Sequence, residues 1–139
     1  LKYDMEFLQT LFTPGMGNLE VWAPFILRVG LGLGLLQHAL PKWKTFEQFK
    51  GFVVSLKWPA PMLFAHLARL TETLGSVMLV LGIFVKPVSV VLAGYFLLVI
   101  LTAHRGQKFY GGWELPYLYL LGALALWAMN FSGAMALTQ

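Results

Sequence analysis

The sequence predicts an all-α integral membrane protein, a four-helix transmembrane bundle with a short N-terminal interfacial segment. Of its 139 residues, 58% are hydrophobic and only 12% are charged, against about 45–50% and 25% in soluble domains. The mean hydropathy is +0.71. A soluble chain of this size has too little interior to bury so much apolar surface. The composition therefore excludes a soluble domain, a disordered chain and a nucleic-acid-binding module.

Four apolar stretches are predicted to span the membrane. They run over about residues 21–40, 61–85, 87–103 and 115–137. Each has roughly the 17–25 residues that a helix needs to cross a hydrocarbon core of about 30 Å. Residues 19–139 then form one membrane domain, and residues 1–18 form an N-terminal interfacial arm.

Proline and glycine mark the predicted boundaries. Pro41 closes the first span, and Pro61 suits the first turn of the second. The short Lys86-Pro87 connection predicts that spans two and three form an antiparallel hairpin. Gly111-Gly112 breaks the chain before span four.

The basic residues predict an orientation. Six of the ten Lys and Arg residues lie in the loops after spans one and three: Lys42, Lys44, Lys50, Lys57, Arg105 and Lys108. The positive-inside rule then places both termini outside the cytoplasm. We expect the inner membrane of a prokaryote. Because cysteine is absent, disulfides, iron–sulfur clusters and thiolate-bound haem or metal are excluded, and no cofactor is covalently attached through cysteine.

Charged residues inside spans are costly and mark the first candidate site. Arg28 lies twelve residues before Leu40, and Glu72 lies twelve residues after Ala60. At 1.5 Å per residue, both are roughly 18 Å from the same membrane face. We therefore expect an Arg28–Glu72 contact. The pair could serve only to fix helix register, or it could line a polar pocket that orients a ligand or relays a proton.

A polar stripe follows the second span, because His66, Arg69 and Glu72 are spaced by three. We expect it to meet polar residues of the other spans near one membrane face. The candidate pocket residues are Arg28, His38, Lys42, His66, Arg69, Glu72, His104 and Glu114. A quinone or lipid head group suits such a pocket. Three histidines could also hold a metal or haem, but their spacing is not specific and we predict no metal. A purely structural network is the alternative.

Small residues predict close helix packing. Gly30 and Gly34 form a GxxxG pattern in span one, and Gly75 lies in span two. Such residues let helix backbones approach each other in lipid, either within the chain or in a homo-oligomer. Spans three and four lack charged side chains and are interpreted as scaffold facing lipid or other subunits.

The ordered set of short motifs resembles the DoxX family of small four-span membrane proteins. The resemblance covers about residues 21–135. It rests on Arg28-Val-Gly30, Gln37-His38-Ala-Leu-Pro-Lys42, Glu72-Thr-Leu-Gly75, Leu81-Gly82-Ile-Phe-Val-Lys86-Pro87, His104, and Gly111-Gly112-Trp-Glu114-Leu-Pro116. The departures are mild: Ala39 where the family often has Gly, and Lys86 where it often has Arg.

The resemblance implies a four-helix bundle with a membrane-embedded polar pocket. Family members include the membrane subunit of a thiosulfate:quinone oxidoreductase and proteins attached to terminal oxidases. We therefore expect an integral-membrane subunit of a respiratory or other redox complex. It would act as scaffold and as part of a quinone or lipid site, in electron transport linked to quinone. Its partners would be the bilayer and other membrane subunits. A non-enzymatic assembly protein is the main alternative, and a small-solute transporter is a weaker one.

Overall fold

A computed structural model describes residues 22–129, 133 and 135–138. The predicted N-terminal arm, residues 1–18, lies outside the described residues. The described part is helical and contains no strand. Its helices are α1 Trp22–Lys44, α2 Phe46–Ser55, α3 Pro61–Leu81, α4 Val85–Thr102 and α5 Glu114–Ala128. A five-residue π-type turn, Phe109–Trp113, leads into α5.

Three helices, α1, α3 and α4, are long and apolar enough to cross a membrane. They bear out the prediction of an all-helical protein with transmembrane helices. The fourth helix, α5, has 15 residues and would cover about 22 Å at 1.5 Å per residue. That is less than a hydrocarbon core of about 30 Å, so the fourth crossing stays a prediction.

Helix α5 ends at Ala128, well before the predicted end near Leu137. The next residue, Met129, is extended, with φ −70° and ψ 140°. The C-terminal segment then contacts the end of α3. There, the Leu137 amide donates to the Leu81 carbonyl and the Thr138 amide donates to the Gly82 carbonyl, at 3.2 and 3.0 Å.

The boundaries of α1 and α3 also differ from those predicted. Pro41 does not end α1, which continues to Lys44; the Pro41 carbonyl accepts a hydrogen bond from the Thr45 amide at 2.8 Å. Helix α3 ends at Leu81, and the turn to α4 uses left-handed backbone at Gly82 (φ 68°) and Phe84 (φ 46°). The structure has the predicted α3–α4 hairpin, but Lys86-Pro87, which was predicted to be the connection, lies in the first turn of α4.

Helix α2 lies in the segment after span one, which the sequence analysis treated as a basic loop. Its apolar residues Phe46, Phe49 and Val53 follow the i, i+3, i+7 spacing of an amphipathic helix. Ten residues are too few to cross a membrane. Helix α2 packs mainly against α3, with its Lys50 paired to Glu47 on the exposed side.

The main packing pairs are α1 with α3 and α4 with α5. Leu35, Leu79, Leu92 and Leu126 are at most 2% exposed and lie in one core cluster. Large apolar side chains also cover the outside of the bundle, for example Leu118, which is 58% exposed. An apolar outer surface of this extent suits contact with lipid.

Glycines bring α1 and α3 close together. A Cβ at Gly32 would lie 2.8 Å from the Ser76 carbonyl oxygen. Gly34 and Gly75 also lie in close contacts, against Tyr119 and Leu92. Gly30, in contrast, is exposed, and a Cβ there would meet nothing within 4 Å among the described residues. Within the chain, the helix-packing glycine of this pattern is therefore Gly32 rather than Gly30.

Replacing Gly32 by alanine should destabilise the protein. The added methyl group would overlap a backbone oxygen that cannot move without shifting α3, and overpacking of this kind costs about 1–3 kcal/mol. Gly30→Ala is the matched control and should leave stability unchanged or slightly raised. Chemical denaturation in detergent measures both. Equal losses for the two variants would contradict the packing described here.

Candidate functional site

An ion pair between a partly buried lysine and a buried glutamate joins α1 to α3. The Lys42 ammonium lies 2.5 Å from Oε1 of Glu72. The Tyr95 hydroxyl of α4 donates to the same oxygen at 2.5 Å. Glu72 is only 4% exposed, and its other oxygen, Oε2, is buried without a hydrogen-bond partner in the described part of the chain. One carboxylate thus connects three helices and keeps one acceptor unused.

The predicted Arg28–Glu72 contact is wrong. Arg28 is fully buried and donates to the carbonyl oxygens of Leu79 and Val80 at 3.0 and 2.7 Å. These are among the last carbonyls of α3, which lack partners within the helix and carry partial negative charge. A guanidinium is well suited to that position.

The error came from the assumed end of α1. Because α1 continues to Lys44, its antiparallel register against α3 places Lys42 beside Glu72. The Trp43 indole N–H then donates to the Thr73 hydroxyl at 2.8 Å. Arg28 precedes Lys42 by 14 residues, which is about 21 Å along the helix. Arg28 therefore lies beside the C-terminal end of α3, whereas Glu72 lies near the middle of that helix.

A cavity of about 380 Å³ lies between α2, α3 and α4. Lys42, Glu72, Tyr95 and His104 contribute polar groups to its lining. The rest of the lining is mainly apolar and aromatic, including Phe49, Phe52, Trp58, Phe64, Leu98 and Val99. We call this space the head cavity. Largely apolar pockets with a few polar groups are typical of small-molecule sites.

A second cavity, of about 240 Å³, lies between α1, α4 and α5. Its lining includes His38 and Tyr119, and it shares Lys42, Glu72 and His104 with the head cavity. The ion pair therefore separates two cavities. Of the predicted pocket residues, the structure brings together His38, Lys42, Glu72 and His104.

An apolar groove of about 520 Å³ runs along the outer side of α3 and α4. Its lining includes Leu74, Met78 and Val91. It shares Leu67 and Thr71 with the head cavity. The head cavity therefore borders a groove on the apolar side of the bundle.

His66 and Arg69 form a separate cluster that lines neither cavity. Arg69 Nη2 lies 2.7 Å from His66 Nδ1. The Arg69 guanidinium lies 4.1 Å from the Trp43 ring centre and 4.0 Å from that of Phe46, within the range of cation–π attraction. Steps of three residues turn about 60° around a helix. His66 and Glu72 are therefore about 120° apart, and the predicted stripe divides into two sites.

Glu114 is not a lining residue of either cavity. Its carboxylate accepts a hydrogen bond from the Gly111 amide at 3.1 Å. It thereby closes the turn before α5.

The site also contains residues that sequence reasoning assigned to scaffold. Tyr95 and Tyr119 lie on α4 and α5, and the aromatic wall comes partly from α2. A signal existed for Tyr95, because the hydroxyl of a tyrosine in the middle of a mostly apolar span needs a partner. The i, i+3, i+7 spacing from Phe46 to Val53 could have identified α2.

Among the residues that the structure describes, no group of three or more His, Asp or Glu side chains is placed to hold a metal ion. The shared lining of the two cavities instead combines a lysine, a carboxylate and a histidine. Such groups can hydrogen-bond a polar head group or exchange protons with it.

The fold and the site define a small helical membrane protein with a polar site inside an apolar bundle. The chain belongs to the DoxX family, whose sequence model matches residues 23–105. The matched segment contains both partners of the ion pair, together with Tyr95 and His104.

The chain is also similar to the inner membrane protein YphA of Escherichia coli (strain K12). The two are 27% identical over 123 residues, which cover 82% of this chain and 86% of the relative. No solved structure matches the chain.

A double-mutant cycle tests the observed pairing. Lys42→Met and Glu72→Gln should each destabilise the protein, and their effects should be non-additive by about 1–3 kcal/mol, as for residues in direct contact. Arg28→Lys combined with Glu72→Gln is the control cycle and should be additive within about 0.5 kcal/mol. Denaturation in detergent gives all the required free energies of unfolding. Strong coupling of Glu72 to Arg28, together with no coupling of Glu72 to Lys42, would contradict the structure.

Proposed function

We propose that the protein is an integral-membrane subunit of a respiratory or other redox complex and binds the head group of a quinone, in its oxidised or its reduced (hydroquinone) form, in the head cavity. The observation that carries the proposal is Glu72. It is buried, it lines both cavities, and one of its oxygens has no hydrogen-bond partner among the described residues. A buried acceptor of this kind is costly unless something occupies the space beside it.

The dimensions and lining of the cavity support a quinone head group. Its volume of about 380 Å³ lies in the usual range of about 300–1,000 Å³ for small-molecule sites. Phe49, Trp58 and Phe64 supply aromatic surfaces that suit a flat ring. Lys42 and His104 offer groups that can donate hydrogen bonds to carbonyl oxygens. The apolar groove beyond Leu67 and Thr71 suits a hydrocarbon tail.

The membrane setting is part of the proposal. We place the protein in the inner membrane of a prokaryote with both termini outside the cytoplasm, and α5 as the fourth crossing. The name of its E. coli relative, an inner membrane protein, and the basic residues of the loops after α1 and α4 support this arrangement.

A second function, structural assembly, is favoured by the same carboxylate. Glu72 links α1 through Lys42 and α4 through Tyr95, so it could serve only to lock the bundle. In that case Glu72→Gln lowers stability, and the activity of the assembled partner complex remains unchanged. Ligand binding in the head cavity distinguishes the two functions.

Quenching of tryptophan fluorescence tests ligand binding. A decyl-tailed benzoquinone should quench part of the emission with saturation, because Trp58 lines the head cavity. Trp58→Phe should remove most of that saturable part. Trp127→Phe is the matched control and should retain it, since Trp127 is 52% exposed on α5 and lines neither cavity. Quenching that rises linearly with quinone concentration in all three proteins would contradict ligand binding in the head cavity.

Native mass spectrometry tests the redox-complex part. Protein extracted from its own membrane in mild detergent should co-migrate with cytochrome, oxidase or other oxidoreductase subunits. A monomer or homo-oligomer without redox partners would contradict that part and favour a self-contained role.

A further inference from the structure

We infer that the head group of the ligand carries a hydroxyl that donates a hydrogen bond to Oε2 of Glu72, so that the site prefers a hydroquinone to the corresponding quinone. This inference rests on the proposed function and specifies which oxidation state of the ligand the site retains.

The hydrogen bonds of Glu72 define what the ligand must supply. Lys42 and Tyr95 both donate to Oε1, while Oε2 is buried without a partner in the described structure. A carboxylate paired with an ammonium group only accepts hydrogen bonds. The missing group is therefore a donor.

A quinone does not meet this requirement. Its carbonyl oxygens are acceptors, and placing one beside Oε2 brings two acceptors together without a proton between them. A hydroquinone of the same shape has two O–H donors. One of these hydroxyls can donate a hydrogen bond to Oε2. The second hydroxyl lies on the opposite side of the ring.

The lining favours an aromatic hydroxyl over the aliphatic hydroxyl of a lipid. Phe49, Phe52, Trp58 and Phe64 surround the same space as Glu72, and aromatic rings pack well against each other in offset or edge-to-face geometry. A glycerol head group would present further hydroxyls to these apolar surfaces, where they would lack partners.

Calorimetric titration in detergent under nitrogen tests the inference with four probes that share a decyl tail. They are the benzoquinone, its hydroquinone, the dimethyl ether of that hydroquinone, and a decyl glycerol ether. The dimethyl ether keeps the ring and both oxygens but has no O–H donor. It tests the hydrogen bond on the unmodified protein, even if a variant fails to fold.

The hydroquinone should bind at least tenfold more tightly than the quinone, the dimethyl ether and the glycerol ether, consistent with a hydrogen bond to a charged group. Glu72→Gln should reduce the preference for hydroquinone over quinone to less than threefold, because the amide N–H₂ can donate to a quinone carbonyl. Glu114→Gln, at a residue that lines neither cavity, should keep the preference.

Equal affinity for hydroquinone and quinone, or for hydroquinone and its dimethyl ether, would overturn the inference while leaving quinone binding in place. Tight binding of the glycerol ether would overturn it in favour of a lipid hydroxyl. If none of the probes binds, the ligand site of the proposed function itself fails.

Discussion

A lysine and a glutamate pair inside the bundle between α1 and α3, and the other contacts of these two helices follow from the register that this pair defines. With Lys42 beside Glu72, Trp43 reaches Thr73, and Gly32 lies under the Ser76 carbonyl. One further turn along α1, Arg28 meets the last carbonyls of α3. Glu72 is buried, and a buried charge that loses its partner is left uncompensated, so a register that separated Lys42 from Glu72 would be disfavoured.

The same pair gives the bundle its internal polar site. Tyr95 extends the network to α4, and cavities lie on both sides of it. Helix α2 covers the larger cavity with Phe49, Phe52 and Val53. One oxygen of the carboxylate thus accepts from a lysine and a tyrosine, while the other is buried without a partner among the described residues. In the proposed function, the first oxygen stabilises the fold and the second meets a ligand.

Much of the fold was predictable because membrane insertion imposes strong constraints on sequence. Long apolar stretches predict helices, and the short distance between two of these stretches predicts the α3–α4 hairpin, although its turn lies at Gly82–Phe84 rather than at Lys86-Pro87. Glu72 and Lys42 could be selected for the site because they lie in or beside spans. Their partnership could not, since depth arithmetic depends on where a helix ends and Pro41 suggested an end too early. Tyr95 was missed because it carries no charge, and the candidate site was defined from the charged residues inside spans. The angle between His66 and Glu72 around α3 follows from their spacing, but which neighbouring helix each side chain faces does not.

An experimental structure with a decyl-tailed hydroquinone bound would show whether the two oxygens of Glu72 have different roles. Glu72 should pair with Lys42 and Tyr95 through one oxygen. A ring hydroxyl should lie within hydrogen-bonding distance of the other oxygen, under α2. A Glu72 side chain turned towards Arg28, or a head cavity that contains only a detergent or lipid chain beside an unpartnered carboxylate, would contradict these roles.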